Sequence, residues 1–157
     1  MSISRVTLSL VALSVAGLGL TVAAQQKPAA AAAPKVTVYK TSSCGCCRLW
    51  VDYMKQNGFD VQAMDVSSAD VRAVSKAAGL KDDDTSCHTA KIGNYVVEGH
   101  VPADDIKRML KEKPAIAGLS APGMPQGSPG MEQGSKEPYD VVAFTKDGKT
   151  TVFAKHK

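Results

Sequence analysis

Apolar and polar positions alternate in short blocks from residue 35 onward, and the blocks change period as they go. Val36, Val38 and Tyr39 form a β-branched and aromatic run of strand character. Leu49, Tyr53 and Met54 then recur at helical spacing in a segment that opens at Arg48-Leu49-Trp50 and stops at Asn57-Gly58. Over residues 59–66, Phe59, Val61 and Ala63 alternate with Asp60 and Gln62, which predicts a second strand with one buried face. Ser68 is placed to cap a second helix whose inner face is Val71, Val74 and Ala78, ending at Gly79. Residues 85–92 read as a strand, Gly93-Asn94 as a turn and Tyr95-Val96-Val97-Glu98 as the hairpin partner. A third helix is expected over 103–113, with Ile106, Met109 and Leu110 inward, acids in its first turn, lysines in its last, and Pro114 beyond.

The resulting order β-α-β-α-β-β-α, with the first strand running into a cysteine-bearing helix, is that of a thioredoxin-like α/β domain with a mixed central sheet flanked by helices. Two further segments follow. Pro122-Gly123-Met124-Pro125-Gln126-Gly127-Ser128-Pro129-Gly130-Met131 can be neither helix nor central strand, so residues 114–138 read as a long Pro/Gly/Met-rich loop. Residues 139–144 and 150–154, joined around Asp147-Gly148, then read as a closing hairpin within 139–154.

The start of the chain has a different character. A short basic segment ending at Arg5, an apolar stretch to Leu20 and the small residues Val22-Ala23-Ala24 have the layout of a secretory signal peptide over 1–24, cleaved near Ala24. The apolar stretch falls short of the roughly 20 residues a bilayer core requires, so no stable membrane anchor is expected after cleavage. Residues 25–34 are Ala/Gln/Pro-rich without apolar periodicity and read as a flexible tether to a domain over 35–157. Composition fits one ordinary domain with a real core: 157 residues, 44% hydrophobic and 22% charged. A net charge of +4, evenly spread, leaves no electrostatic footprint for nucleic acid. The acidic triplet Asp82-Asp83-Asp84 reads as a solvated loop in preference to a hard-cation site.

Chemistry concentrates in Cys44-Gly45-Cys46-Cys47, three of the four cysteines in four positions, where a strand meets a helix start. Unpaired N–H groups and the helix dipole stabilise thiolates there. Cys44 and Cys47 have the C-x-x-C spacing of a thiol–disulfide oxidoreductase, but Cys46 would be a third thiol beside any disulfide they form. Metal binding uses the same residues without that conflict, and thiolates with thioethers suit Cu(I). In glutaredoxin-like and thioredoxin-like folds the turn before the third core strand faces the C-x-x-C site and usually carries a cis-proline; by that resemblance the matching turn here, Ser86-Cys87-His88-Thr89, carries Cys87 and His88 instead. His100 and the loop methionines Met124 and Met131 are further soft or borderline donors, whereas Met54, Met64 and Met109 lie in regular elements and read as core. His156, among terminal lysines, reads as surface. Structural zinc prefers two separated ligand pairs and makes no use of methionine, so it is the less favoured metal.

Five stretches in order, Cys44-Gly45-Cys46-Cys47, Ser86-Cys87-His88-Thr89-Ala90, Val97-Glu98-Gly99-His100-Val101-Pro102, Gly118-Leu119 with Pro122-Gly123-Met124-Pro125, and Gly127-Ser128-Pro129-Gly130-Met131, resemble the CopG-type copper-resistance proteins. The resemblance runs over residues 35–153. It implies a periplasmic, thioredoxin-like protein of copper tolerance that holds several copper ions, acting beside periplasmic copper carriers or efflux components. It also implies Cys44, Cys46, Cys47 and Cys87 as leading ligands, with His88, His100, Met124 and Met131 second, and leaves room for a redox activity that cycles Cu(I) and Cu(II).

Overall fold

The computed structural model describes residues 32–157. The expected signal peptide (1–24) and all but the end of the expected tether (25–34) lie outside the described residues. At that end Pro34 is already tied in, its carbonyl accepting from Asp60 N at 3.0 Å.

Among the described residues seven strands form one mixed sheet. They are β1 (Lys35–Lys40), β2 (Asp60–Asp65), β3 (His88–Ile92), β4 (Tyr95–Glu98), β5 (Gly118–Ser120), β6 (Tyr139–Phe144) and β7 (Thr150–His156), in the spatial order β2-β1-β3-β4-β5-β6-β7. Among the described residues three α-helices join β1 to β2, β2 to β3 and β4 to β5: α1 (Gly45–Gln56), α2 (Ser68–Ala77) and α3 (Ala103–Glu112). β1 runs parallel to β2 and antiparallel to β3, and β4 runs antiparallel to β3. This α/β arrangement is as expected, and the order β2-β1-β3-β4 is compatible with a thioredoxin-like core.

The local detail departs from the periodicity reading in several places. Helix α1 begins at Gly45 and not at Arg48, because Cys44 serves as its N-cap: the Cys44 sulfur accepts from Cys47 N at 3.3 Å. Its inner face is Cys47, Trp50, Val51 and Met54, while Leu49 is 42% exposed. An unbroken apolar run does not by itself define a face; here the 3.6-residue period is completed by a cysteine. Helix α2 is capped by Ser67, whose Oγ accepts from Asp70 N at 3.2 Å, and not by Ser68. Its buried residues are Val71 and Ser75. Strand β2 is the sheet edge and only Val61 in it is even half-buried, so the expected alternation does not bury a face; Phe59, just before it, is buried. Met54 and Met109 are in the core as expected, and Met64 is not.

The largest difference is β5. Gly118-Leu119-Ser120 is a fully buried central strand, parallel to β4 and antiparallel to β6, and it joins the closing hairpin to the main sheet. Gly118 is required at that contact, since a Cβ there would lie 1.7 Å from the Val96 carbonyl oxygen. The core gathers Val36, Val38, Trp50, Met54, Ile92, Val97, Ile106, Met109, Leu119 and Val141. The terminal strand is fastened to α3: His156 Nε2 lies 2.7 Å from Asp105 Oδ2 and its ring stacks on Tyr139 at 4.8 Å, while Arg108 donates to Phe153 O at 2.9 Å. His156 is therefore half-buried and paired, contrary to its reading as a surface residue.

Candidate metal centre

The register of β1 against β3 assembles the site. Lys40, the last residue of β1, pairs with His88, the first of β3. The residues that follow Lys40 and the residue that precedes His88 therefore leave the sheet at the same end, which brings Cys44, Cys46 and Cys47 to Cys87. All four sulfurs lie within 4.8 Å of one another. Cys46 Sγ is 3.5 Å from Cys44 Sγ and 3.9 Å from Cys87 Sγ, and Cys47 Sγ is 3.4 Å from Cys87 Sγ. Cys44 and Cys47 are joined as a disulfide with Cα atoms 5.3 Å apart, and Cys46 and Cys87 are free thiols.

Two imidazoles extend the cluster, and Cys87, His88 and His100 form a second group of donors within 4.8 Å of one another. His100 Nε2 is 3.1 Å from Cys87 Sγ, and its Nδ1 is 2.8 Å from the Pro129 carbonyl oxygen. A carbonyl can only accept, so Nδ1 carries the hydrogen and Nε2 turns its lone pair toward the sulfur, which is the tautomer a metal ligand needs. His88 is fully buried between Trp50, 4.6 Å away, and His100, 5.0 Å away. Its Nδ1 is 3.5 Å from Cys87 Sγ, and its Nε2 has no hydrogen-bond partner among the described residues. Burial holds His88 well below the usual imidazole range, with His100 adding to the effect. Burial also lowers His100, partly opposed by the Pro129 carbonyl. Both rings are thus neutral near pH 7 and able to ligate. The Cys87 thiol is pushed up to about 12, first by burial and then by Cys46 beside it. At that value Cys87 is a protonated thiol near pH 7, and a cation bound beside it would favour its thiolate.

The Pro/Gly-rich loop is seated on this cluster. Ser128, Pro129 and Gly130 are buried, although the stretch has almost no apolar side chains. Gly130 (φ +85) presses on the first turn of α1: a Cβ on it would lie 2.9 Å from both Cys46 O and Trp50 N. Upstream, Gly123 N donates to Thr85 O at 3.0 Å and Ser86 Oγ donates to Gly123 O. The structure brings the cysteines and the two histidines together as one donor cluster. Met124 is 54% exposed, one residue from the Gly123 anchor, and Met131 is half-buried, one residue from Gly130.

Beside the cluster opens a cleft of about 260 Å³ whose lining includes Thr41, Cys44, Ser68, Arg72, Ser86 and Cys87. Glu98 lies within one of the motif stretches but carries no role predicted from sequence. Its side chain is 1% exposed; Oε1 accepts from Ser86 N at 2.7 Å and Oε2 from Thr89 Oγ1 at 2.6 Å. Burial raises it to about 7, with both hydrogen bonds working against the rise. The signal available was a lone acid closing an apolar strand, Tyr95-Val96-Val97-Glu98.

Residues 85–131 match the family model described as "Protein of unknown function, DUF411", a span that begins just before Cys87 and ends at Met131. No curated protein matches the chain. Two solved structures do, Form 1 and Form 2 of copper resistance protein CopG. Each is 40% identical with a TM-score of 0.72. The match to Form 1 covers 78% of this chain and 98% of that one, and the match to Form 2 covers 80% and 99%. With that identity over essentially the whole length of the relative, and with a cysteine cluster at the head of α1 whose donors suit a soft metal, this chain belongs to the CopG copper-resistance protein family.

Proposed function

We propose that this protein is exported to the periplasm and serves copper tolerance by holding more than one Cu(I) ion on Cys44, Cys46, Cys47 and Cys87. His88 and His100 complete coordination, and Met124 and Met131 act as thioether donors at the rim. The single observation that carries the reading is the meeting of four sulfurs and His100 Nε2 from distant parts of the chain. Soft donors select a soft monovalent ion, and four thiolates serving several ions share sulfurs between them. The unpartnered His88 Nε2 fits the same reading, because a buried polar atom without a hydrogen bond is costly unless a ligand satisfies it. Copper is cargo in this account, taken up through the cleft beside Cys44 and passed on to a periplasmic carrier or efflux component.

The test is anaerobic titration of the fully reduced protein with Cu(I), read as copper bound per chain. More than one ion is expected, with a sharp fall for Cys46→Ser. Full stoichiometry in that variant removes Cys46 from the site, and failure of the reduced wild type to bind copper removes the reading. The Cys44–Cys47 disulfide favours a second reading, a thiol–disulfide oxidoreductase. Turnover of a model disulfide that survives Cys46→Ser would favour that enzyme. Steady oxidation or reduction of added copper would instead mark a copper redox enzyme.

A further inference from the structure

We infer that Glu98 is a positioning residue that holds the turn carrying Cys87 and His88 against the Cys44–Cys47 segment. The inference rests on the proposed thiolate site and adds a determinant of its geometry. Three observations carry it. The carboxylate spans the turn, taking Ser86 N on one oxygen and Thr89 Oγ1 on the other, so Cys87 and His88 lie between its two contacts. Its backbone is equally committed, since Glu98 pairs with Thr89 in the β3–β4 ladder and its carbonyl accepts from Ala121 N at 3.0 Å. The next residue, Gly99 (φ +70), provides the room: a Cβ there would lie 2.6 Å from both Cβ and Oγ of Ser86. Gly99 N also donates to His88 O at 2.9 Å. The segment Glu98-Gly99-His100 thus grips the turn by side chain and backbone, and then supplies the imidazole that meets Cys87.

Without the clamp, the Ser86 N–H loses its partner and the turn loses the contact that fixes where Cys87 points. The grip depends on hydrogen bonds and shape, and glutamine can reproduce it. In Glu98→Gln the new amide carbonyl accepts from Ser86 N while its NH₂ donates to Thr89 Oγ1, whose own hydrogen turns to the Val71 carbonyl, 3.4 Å away.

The experiment compares reduced full-length wild type with Glu98→Ala, Glu98→Gln, Cys87→Ser and the double variant Glu98→Ala/Cys87→Ser. Cu(I) affinity is read by competition with a chromophoric chelator, alongside far-UV circular dichroism. Partners of metal ligands typically carry 10–100-fold in affinity, so Glu98→Ala is expected to lose about 10-fold or more. Glu98→Gln should recover affinity to within about twofold of wild type, and the double variant should bind no worse than Cys87→Ser alone. A further loss in the double variant would mean that Glu98 only supports the fold, and that overturns the proposal. Wild-type affinity in Glu98→Ala, beside a loss in Cys87→Ser, overturns the clamp and leaves the copper reading standing. Wild-type affinity in Cys87→Ser instead overturns Cys87 as a ligand. If Glu98→Ala fails to fold, Thr89→Val removes one of the two bonds. A smaller loss that vanishes in the Cys87→Ser background supports the proposal, and a loss that persists there overturns it.

Discussion

Replacing Gly130 with alanine tests whether the Pro/Gly-rich loop is a working part of the site. At φ +85 a β-carbon is disfavoured by about 1–2 kcal/mol before any contact is considered. The new methyl would also meet Cys46 O and Trp50 N at 2.9 Å, the two ends of one helical hydrogen bond in the first turn of α1. Helix backbone yields less readily than a loop, so the loop lifts. Lifting withdraws the Pro129 carbonyl from His100 Nδ1, leaving a buried ring nitrogen short of its acceptor, a further loss of about 1–3 kcal/mol. Partial relaxation brings the expected total to about 2–4 kcal/mol, which lowers the melting temperature of a domain this size by roughly 6–16 °C. His100 also loses the contact that fixes its tautomer, so Cu(I) affinity should fall by about 10-fold. Thermal unfolding of the reduced, metal-free protein and a chelator competition read the two effects separately. Gly45→Ala is the control, because nothing lies within 4 Å of a Cβ at Gly45 and its φ is not positive. It should change stability by no more than about 1 kcal/mol. If Gly130→Ala melts and binds like wild type, the loop does not bear on α1 or on His100 as described.

Other outcomes follow from features already given. Denatured but unreduced protein should show two reactive thiols, Cys46 and Cys87, and four after reduction; four before reduction would remove the Cys44–Cys47 disulfide. His156→Ala should cost about 1–2 kcal/mol in unfolding, through the lost Asp105 contact and the lost Tyr139 stacking, with copper stoichiometry unchanged. Altered stoichiometry in that variant would tie the terminal strand to the metal site. The Tyr139 phenol is pushed up to about 12 by burial and by Asp105 and Tyr53 nearby, against 10.0 for a free phenol. A group raised in the folded state favours folding fully below the unfolded value and loses that contribution as pH climbs to the folded one. Stability should therefore drop between pH 10 and 12, and drop less in Tyr139→Phe, as followed by denaturant unfolding with phenolate absorbance. Equal alkaline losses in the two proteins would refute the assignment.

Much of this was legible in the sequence because it depends on local rules. Asn57-Gly58 ends the helical run before it, Gly93-Asn94 turns a hairpin, and acids and lysines mark the two ends of α3. The convergence of Cys87 with the three clustered cysteines was also accessible, since the element order alone sends both segments to one end of a sheet. Other features depend on partners far along the chain. β5 is only three residues long and has no period to detect; it exists because Val96 and Phe144 flank it with open backbone groups. Glu98 gives no signal of its burial in the sequence, because an acid at a strand end reads as exposed until Ser86 and Thr89 fold over it. The inner face of α1 is hidden in the sequence because Cys47 counts as chemistry when read singly but as core when packed.

The route of the chain between β5 and β6 has a consequence for how the protein can vary. These two strands are antiparallel neighbours, a connection that a few residues would close, yet residues 121–138 separate them. Both ends of that excursion are clamped one strand apart in the sheet interior, so its contour can be rewritten without disturbing strand pairing. Exchanging it between homologous proteins should therefore change what covers His100 and the proposed rim methionines while the order of strands beneath stays the same.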